Sequence, residues 1–224
     1  METFPDKSGI AVTLAMVETI SSNRQHLSDI DGLIGDGDHG INMDKGFRLC
    51  ADALDAAAMG FAQSLRILGD TLMEQIGGSM GPLYGMMFRA MAREARECDQ
   101  IDAVLFGRML ASAESRIRSI GQCEEGEKTL LDVLAPARSA YDASLRDGNS
   151  FADALRAMEV AAASGCEATV AMVARKGRAS RLGDRSRGVP DPGSTSCCLL
   201  LTAMSRQMRL LLGGVEAFSP GGAL

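Results

Sequence analysis

Phe61 to Ile76 reads FAQSLRILGDTLMEQI, and its apolar residues Phe61, Leu65, Leu68, Leu72 and Ile76 recur at spacings of four, three, four and four. Only a helix gathers that spacing onto one stripe, because a strand would need an alternation of period two. The rhythm returns in Ile10, Leu14 and Val17 and in Met43, Phe47, Cys50 and Leu54. It returns again in Phe151, Leu155, Met158, Ala162, Cys166, Val170 and Val173, and in Leu200 or Leu201, Met204, Met208 and Leu211. Alternating β-branched and aromatic runs are almost absent, Trp is missing, and aromatic residues are only 4% of the chain, so strands have little to be built from. The expected fold class is all-α. Short glycine-rich breaks between the helical stretches favour antiparallel neighbours, in a bundle or closed barrel of about eight amphipathic helices. No Pro-, Gly- or Ser-rich linker divides the chain, and 1–224 is expected to form one domain.

At 224 residues and 46% hydrophobic content the chain can bury a substantial core. Lys and Arg number 23 against 29 Asp and Glu, a net charge of -6, which argues against nucleic-acid binding through a basic surface but leaves room for a phosphate held locally. Uncharged apolar stretches such as Cys197 to Met204 are far too short to span a bilayer, and no signal-peptide pattern opens the chain, so a cytoplasmic protein with no membrane contact is expected. Six cysteines form no C-x-x-C pair and fall mostly on apolar helical positions, as reduced, buried thiols do. Two histidines argue against zinc, and the 14 methionines are most simply core filling.

Leu33 to Phe47, LIGDGDHGINMDKGF, is the stretch richest in chemistry. Gly35, Gly37 and Gly40 match the dinucleotide fingerprint in form, but HLSDIDGL before them supplies no strand, and two aspartates would face a pyrophosphate with the wrong charge. An EF-hand counted from Asp36 would need Gly and Glu where Ile41 and Phe47 stand, and no Walker loop occurs. What remains is Asp31, Asp36 and Asp38, three hard oxygen donors on a tightly folding loop, which suit magnesium completed by water and phosphate oxygens. A solvated Asp-Gly turn reads equally well from these residues alone. Gly77 to Gly85 (GGSMGPLYG) and Gly188 to Ser196 (GVPDPGSTS) precede helical patterns, where free N–H groups and the helix dipole favour anions, although ordinary capped turns look the same. Arg175 to Arg187 (RKGRASRLGDRSR) sets six basic residues against one acidic residue, either to neutralise phosphate or as a basic surface loop.

In this order, GDGDHGINMDKGF, GGSMGPLYG, KTLLDVLAPA and KGRASRLGDRSRGVPDPGSTS resemble the nucleotide-binding L subunit, or L domain, of dihydroxyacetone kinases, over nearly the whole chain. The resemblance implies a helical barrel with ADP or ATP at one end and two Mg2+ ions bridging aspartates to phosphates. It makes Asp31, Asp36 and Asp38 the metal ligands, with His39, Gly40, Ile41 and Asn42 lining the nucleotide beside them. Ser79 and Met80 would approach the phosphates, Gly121 and Leu130 the base or ribose, Arg178 would reach in from the basic loop, and Asp191, Pro192 and Gly193 would close the site. The catalytic set would be Asp31, Asp36, Asp38 and Arg178.

Met80 departs from the pattern, standing where similar sequences carry a small hydroxyl residue, and a thioether cannot donate a strong hydrogen bond to phosphate. The function implied is phosphoryl transfer to a small keto sugar held on a separate K-type subunit, within glycerol metabolism, with a four-carbon sugar as the alternative substrate. A non-catalytic nucleotide-sensing subunit is the rival from another class. Expected partners are the K-type subunit, a phosphohistidine protein of the phosphotransferase system that recharges bound ADP, and a second copy in a homodimer. Because His39 belongs to the metal loop and His26 to an early helix, and no second domain is expected within 224 residues, transfer should require the partner.

Overall fold

The computed structural model describes residues 2–54 and 58–214. Among them nine α-helices occur: α1 (Ile10–Ser22), α2 (Arg24–Ile34), α3 (His39–Ala53), α4 (Phe61–Gln75), α5 (Met80–Ala95), α6 (Ala103–Gly121), α7 (Leu131–Arg146), α8 (Phe151–Ala168) and α9 (Pro192–Leu212). The all-α expectation holds, and the helices number nine where about eight were expected. Phe61, Leu65, Leu68 and Leu72 line the buried stripe of α4, and Ile76, just past its end, is buried with them.

Consecutive helices from α3 to α9 pack side by side, and α1 closes the ring by lying against both α3 and α9. Eight helices thus form a barrel around one apolar core, with α3, α5, α7 and α9 starting at the end where α1, α4, α6 and α8 finish. The short α2 packs on α3 and α9 at that same end. Asp102, Ser150 and Asp191 cap α6, α8 and α9, each accepting a first-turn N–H through its side chain.

The structure departs from the sequence pattern at three places. In α1 the fully buried positions are Val12, Thr13, Met16 and Ile20, while Leu14 and Val17 are half-buried, because this helix is packed by three neighbours and presents no single stripe. Thr13 even shares a 2.7 Å hydroxyl contact with Ser64 of α4. Val170 and Val173 fall outside α8, which ends at Ala168 and passes into a 3-10 turn over Thr169–Ala171. Two three-residue strands, β1 (Thr3–Pro5) and β2 (Gln100–Asp102), pair antiparallel and place Phe4 opposite Ile101 under the barrel.

All six cysteines are free thiols, with Cys50, Cys123 and Cys197 buried and the other three half-buried. No described helix is long and apolar enough to cross a membrane.

Candidate functional site

The last turn of α2 carries Asp31. Gly35 folds back so that its N–H donates to the Asp31 carbonyl at 2.5 Å, and Gly37, at a φ of 76° that favours glycine, turns the chain into α3. Asp36 and Asp38 flank that glycine. One carboxylate oxygen from each of Asp31, Asp36 and Asp38 lies within 4.8 Å of the others. Asp38 occupies the N-cap position of α3 but makes no side-chain cap, so its carboxylate is not consumed there. Asp31 accepts the His39 N–H at 3.2 Å, which ties the end of α2 to the start of α3. Arg178 pairs with Asp36 and stands 3.8 Å from Asp38. Three hard oxygen donors collected on one spot, with a single guanidinium against them, fit a divalent cation such as magnesium.

Beside the aspartates opens a cleft of about 610 Å³ at the barrel end. Helix starts converge on it: Asp38 and His39 of α3, Ser79 and Met80 of α5, Thr129 and Leu130 at α7, and Asp191 to Gly193 at α9 all line its wall. Four helix starts border one space with their positive dipole ends, an environment that favours phosphate. The wall toward the end of α6 is apolar, formed by Leu83, Ile117, Ile120 and Leu130 around Gly121, and suits a flat base.

His39 is 6% exposed and lines the cleft. Its Nε2 meets Ser196 Oγ at 2.9 Å, Ser196 Oγ meets Tyr84 OH at 2.7 Å, and Tyr84 OH donates to the Gly193 carbonyl at 3.0 Å. Burial pulls the imidazole down to about 4, so His39 is neutral near pH 7. Burial pushes the Asp191 carboxyl up to about 6, against the opposing pull of the Ser194 N–H and hydroxyl and the Lys128 ammonium.

Lys128 is buried, and its Nζ donates to the carbonyls of Ser186 and Val189 at 2.6 Å each and of Met172 at 3.3 Å. These three carbonyls bracket the basic segment, which forms 3-10 turns over Arg178–Ser186 rather than extending α8. The segment is thus fastened from beneath, and Arg178 is held over the aspartates.

Of the residues that the sequence pointed to, Asp31, Asp36, Asp38, His39, Asn42, Ser79, Met80, Gly121, Leu130, Arg178, Asp191, Pro192 and Gly193 come together around this cleft. Gly40 and Ile41 do not line it. Gly40 faces α2, where an added Cβ would sit 1.9 Å from the Arg24 carbonyl oxygen, and Ile41 points outward with 48% exposure. Tyr84, Lys128, Thr129 and Ser196 were not singled out from sequence, although all four lie inside the quoted motifs.

A family model described as the DAK2 domain matches residues 33–206. The ADP-binding subunit of the PEP-dependent dihydroxyacetone kinase of Escherichia coli is 36% identical over 193 residues, covering 84% of this chain and 90% of that subunit. The ADP-binding subunit of the PTS-dependent enzyme of Lactococcus lactis is 35% identical over 188 residues, covering 84% and 90%. The L-erythrulose 1-kinase of Mycolicibacterium smegmatis is 30% identical over 205 residues, covering 89% of this chain but 35% of that protein. Among solved structures, the dihydroxyacetone kinase of C. freundii superimposes with a TM-score of 0.67 at 22% identity, over 87% of this chain. The chain spans about a third of that protein's length. The same kinase in complex with AMP-PNP and Mg2+ gives a TM-score of 0.64.

Proposed function

The chain belongs to the DAK2 domain family, and from that premise we propose that it is the ADP/ATP-binding subunit of a dihydroxyacetone-type kinase, passing a phosphoryl group to a small keto sugar held on a separate K-type subunit. One observation carries the reading: the Asp31, Asp36 and Asp38 carboxylates, four helix N-termini and Arg178 converge on a single cleft. The relatives named as ADP-binding subunits, matched along most of their length, support it.

In this reading 1–224 works as one nucleotide-binding domain. Asp31, Asp36 and Asp38 hold magnesium, as two ions, and the metal supplies neutralisation of the phosphate oxygens and their alignment for in-line transfer. The positive ends of α3, α5, α7 and α9, with the backbone N–H groups there that have no partner within the chain, bind the phosphates. Because backbone amides do this work, Met80 need not donate. Arg178 stabilises negative charge on the transferred group, and the Ile117, Ile120 and Leu130 wall receives the base and excludes water. No protein nucleophile is required, so the chain's contribution is positioning and charge.

The names PEP-dependent and PTS-dependent on the relatives favour a nucleotide retained as a cofactor and recharged by a phosphohistidine protein of the phosphotransferase system. A cytoplasmic homodimer acting in glycerol metabolism completes the proposal. The L-erythrulose 1-kinase among the relatives favours a second reading, with a four-carbon ketose as acceptor.

Calorimetry with ADP, with and without Mg2+, tests the nucleotide site: binding should require the metal and be lost in Asp36→Asn while helicity is kept. Adding a K-type subunit with dihydroxyacetone or erythrulose should then give transfer that this chain alone does not give. Turnover without a partner would make the chain a self-sufficient kinase, and binding without transfer in the reconstituted system would make it a regulatory subunit.

A further inference from the structure

Arg175 to Arg187 carries six basic residues, and the nucleotide site accounts for only one of them, Arg178. Lys176 pairs with Glu127 at 3.7 Å and Arg187 with Asp184 at 3.4 Å. Arg175, Arg181 and Arg185 are exposed and have no ion pair among the described residues, in a chain whose net charge is -6. Side chains three apart stand above one another in a 3-10 turn, so Arg181 shares the face of Arg178, which reaches the Asp36 carboxylate at the cleft mouth. Arg185 follows the bend at Gly183. The segment lies against α2, whose last turn carries Leu33 with 67% exposure, and across the aspartate loop Ile41 also points outward. Single apolar residues on a surface are ordinary, but two that flank one loop beside unneutralised arginines have the make-up of a protein-contact surface.

An acceptor hydroxyl must come within about 3–3.5 Å of the reacting phosphoryl group, and the cleft holds that group inside the barrel end, so whatever carries the acceptor seats on this rim. A cation-rich rim selects an acidic face, while the chain's net negative charge repels nucleic acid and anionic membranes from the rest of its surface. We propose that Arg175, Arg181 and Arg185, with Leu33 and Ile41, form the docking surface for the K-type subunit, which meets them with acidic side chains around its sugar site, an assignment that rests on the kinase-subunit reading. The arginines steer the approach, and the apolar pair holds the docked partner. Ile41, which does not line the cleft, thereby has a role beside it.

Biolayer interferometry of the full chain with the dihydroxyacetone-loaded K-type subunit, across about 50–500 mM NaCl, reads steering and holding separately. Wild-type association should slow about tenfold over that range. Arg181→Glu and Arg185→Glu should each slow association about tenfold at low salt and flatten the salt dependence. Arg66→Glu makes the same change of charge at an exposed position on the half of α4 far from the cleft, and should alter association less than about twofold. Leu33→Ser should leave association alone and speed dissociation about tenfold. MgADP affinity should stay within about twofold of wild type in all four variants, which also shows that each is folded. Salt-independent association of the wild type, an effect of Arg66→Glu as large as that of Arg181→Glu, or a wild type that binds MgADP but no K-type subunit overturns the proposal. So do variants that dock the K-type subunit normally and lose only recharging by the phosphohistidine protein. Docking with the expected salt and variant dependence, in a protein that fails to bind MgADP, would instead defeat the nucleotide-site reading and leave the docking surface standing.

Discussion

Gly40→Ala should damage the metal loop more than the fold, for a reason visible in one distance. A Cβ at this position would lie 1.9 Å from the Arg24 carbonyl oxygen and 2.8 Å from both the nitrogen and the hydroxyl of Ser28. Ordinary contacts need about 3.5 Å, so the start of α3 must move roughly 1.5 Å off α2, and a backbone oxygen inside a helix cannot rotate out of the way. Overpacking of this kind costs up to about 3 kcal/mol, offset by about 1 kcal/mol of improved helix propensity, for a net loss near 2 kcal/mol. In a chain of this size that lowers the melting temperature by about 4–8 °C. The site suffers further, since Asp31 rides on α2 while Asp38 and His39 adjoin Gly40, and the displacement breaks the 3.2 Å bond from His39 N to Asp31 and spreads a trio now within 4.8 Å. MgADP affinity should fall more than tenfold.

Gly107→Ala is the matched control. Its Cβ would meet nothing closer than the Tyr141 ring at 3.4 Å, so it should raise stability by about 0.5–1 kcal/mol and leave MgADP binding alone. Thermal melts and calorimetry on both variants decide the matter. A Gly40→Ala protein that melts and binds as wild type would show that the approach of α2 and α3 does not set the carboxylate geometry.

Arg178→Ala should weaken MgADP binding or transfer more than tenfold, as a charged contact worth ~1.5–3 kcal/mol does, while Arg187→Ala, whose side chain bonds Asp184 and the Ala171 carbonyl, should change it little. Equal small effects would reduce the basic segment to a surface loop. Lys128→Met leaves three carbonyls without their ammonium and should cost about 3 kcal/mol in urea melts, with faster proteolysis between residues 172 and 189 as the local signature. Acid should reveal two opposed titrations. His39, lowered from 6.5 to about 4 in the fold, contributes stability that is complete above pH 6.5 and declines by about 3 kcal/mol as pH falls through 4. Asp191, raised from 3.8 to about 6, acts the other way, since its neutral form suits the fold and stability lost above pH 6 is regained as pH falls through 3.8. Wild-type stability should therefore vary little between pH 6 and 4, whereas Asp191→Asn, which keeps the cap but not the titration, should lose stability steadily over the same window. A wild-type curve that falls as steeply as the variant's would remove Asp191 from the balance.

The fold was legible wherever a helix turns one face to the core. Phe61 to Leu72 in α4 and Phe151 to Ala162 in α8 each bury one stripe, and a stripe is a local property of the sequence. The α1 helix was not, because it sits between α3, α4 and α9 and buries Val12 and Thr13 on faces that no single period joins. Closure of the barrel through α1 was equally invisible, since which helices touch is decided by the sum of their shapes. Phe4 and Ile101 escaped notice for want of length: one buried residue in a three-residue strand has no period at all.

At the site, adjacency in a motif and orientation toward a ligand are separate things, and α3 shows how they part. Successive helix residues turn about 100°, so His39 and Asn42, three apart, share the face toward the cleft, while Gly40 turns onto α2 and Ile41 turns out to solvent. The same geometry explains the omissions. Tyr84 stands four residues beyond Met80, and Ser196 four beyond Pro192, each one turn inward from a helix start and on the cleft's face. Their hydroxyls meet there because both helices begin at the same barrel end, which a reader of the sequence could infer once the up-and-down order is granted. Lys128 could not be found that way. Its partners are carbonyls 44, 58 and 61 residues downstream, and a carbonyl carries no mark in a sequence, so a buried lysine that fastens the basic segment looks from outside like any other charge in a loop.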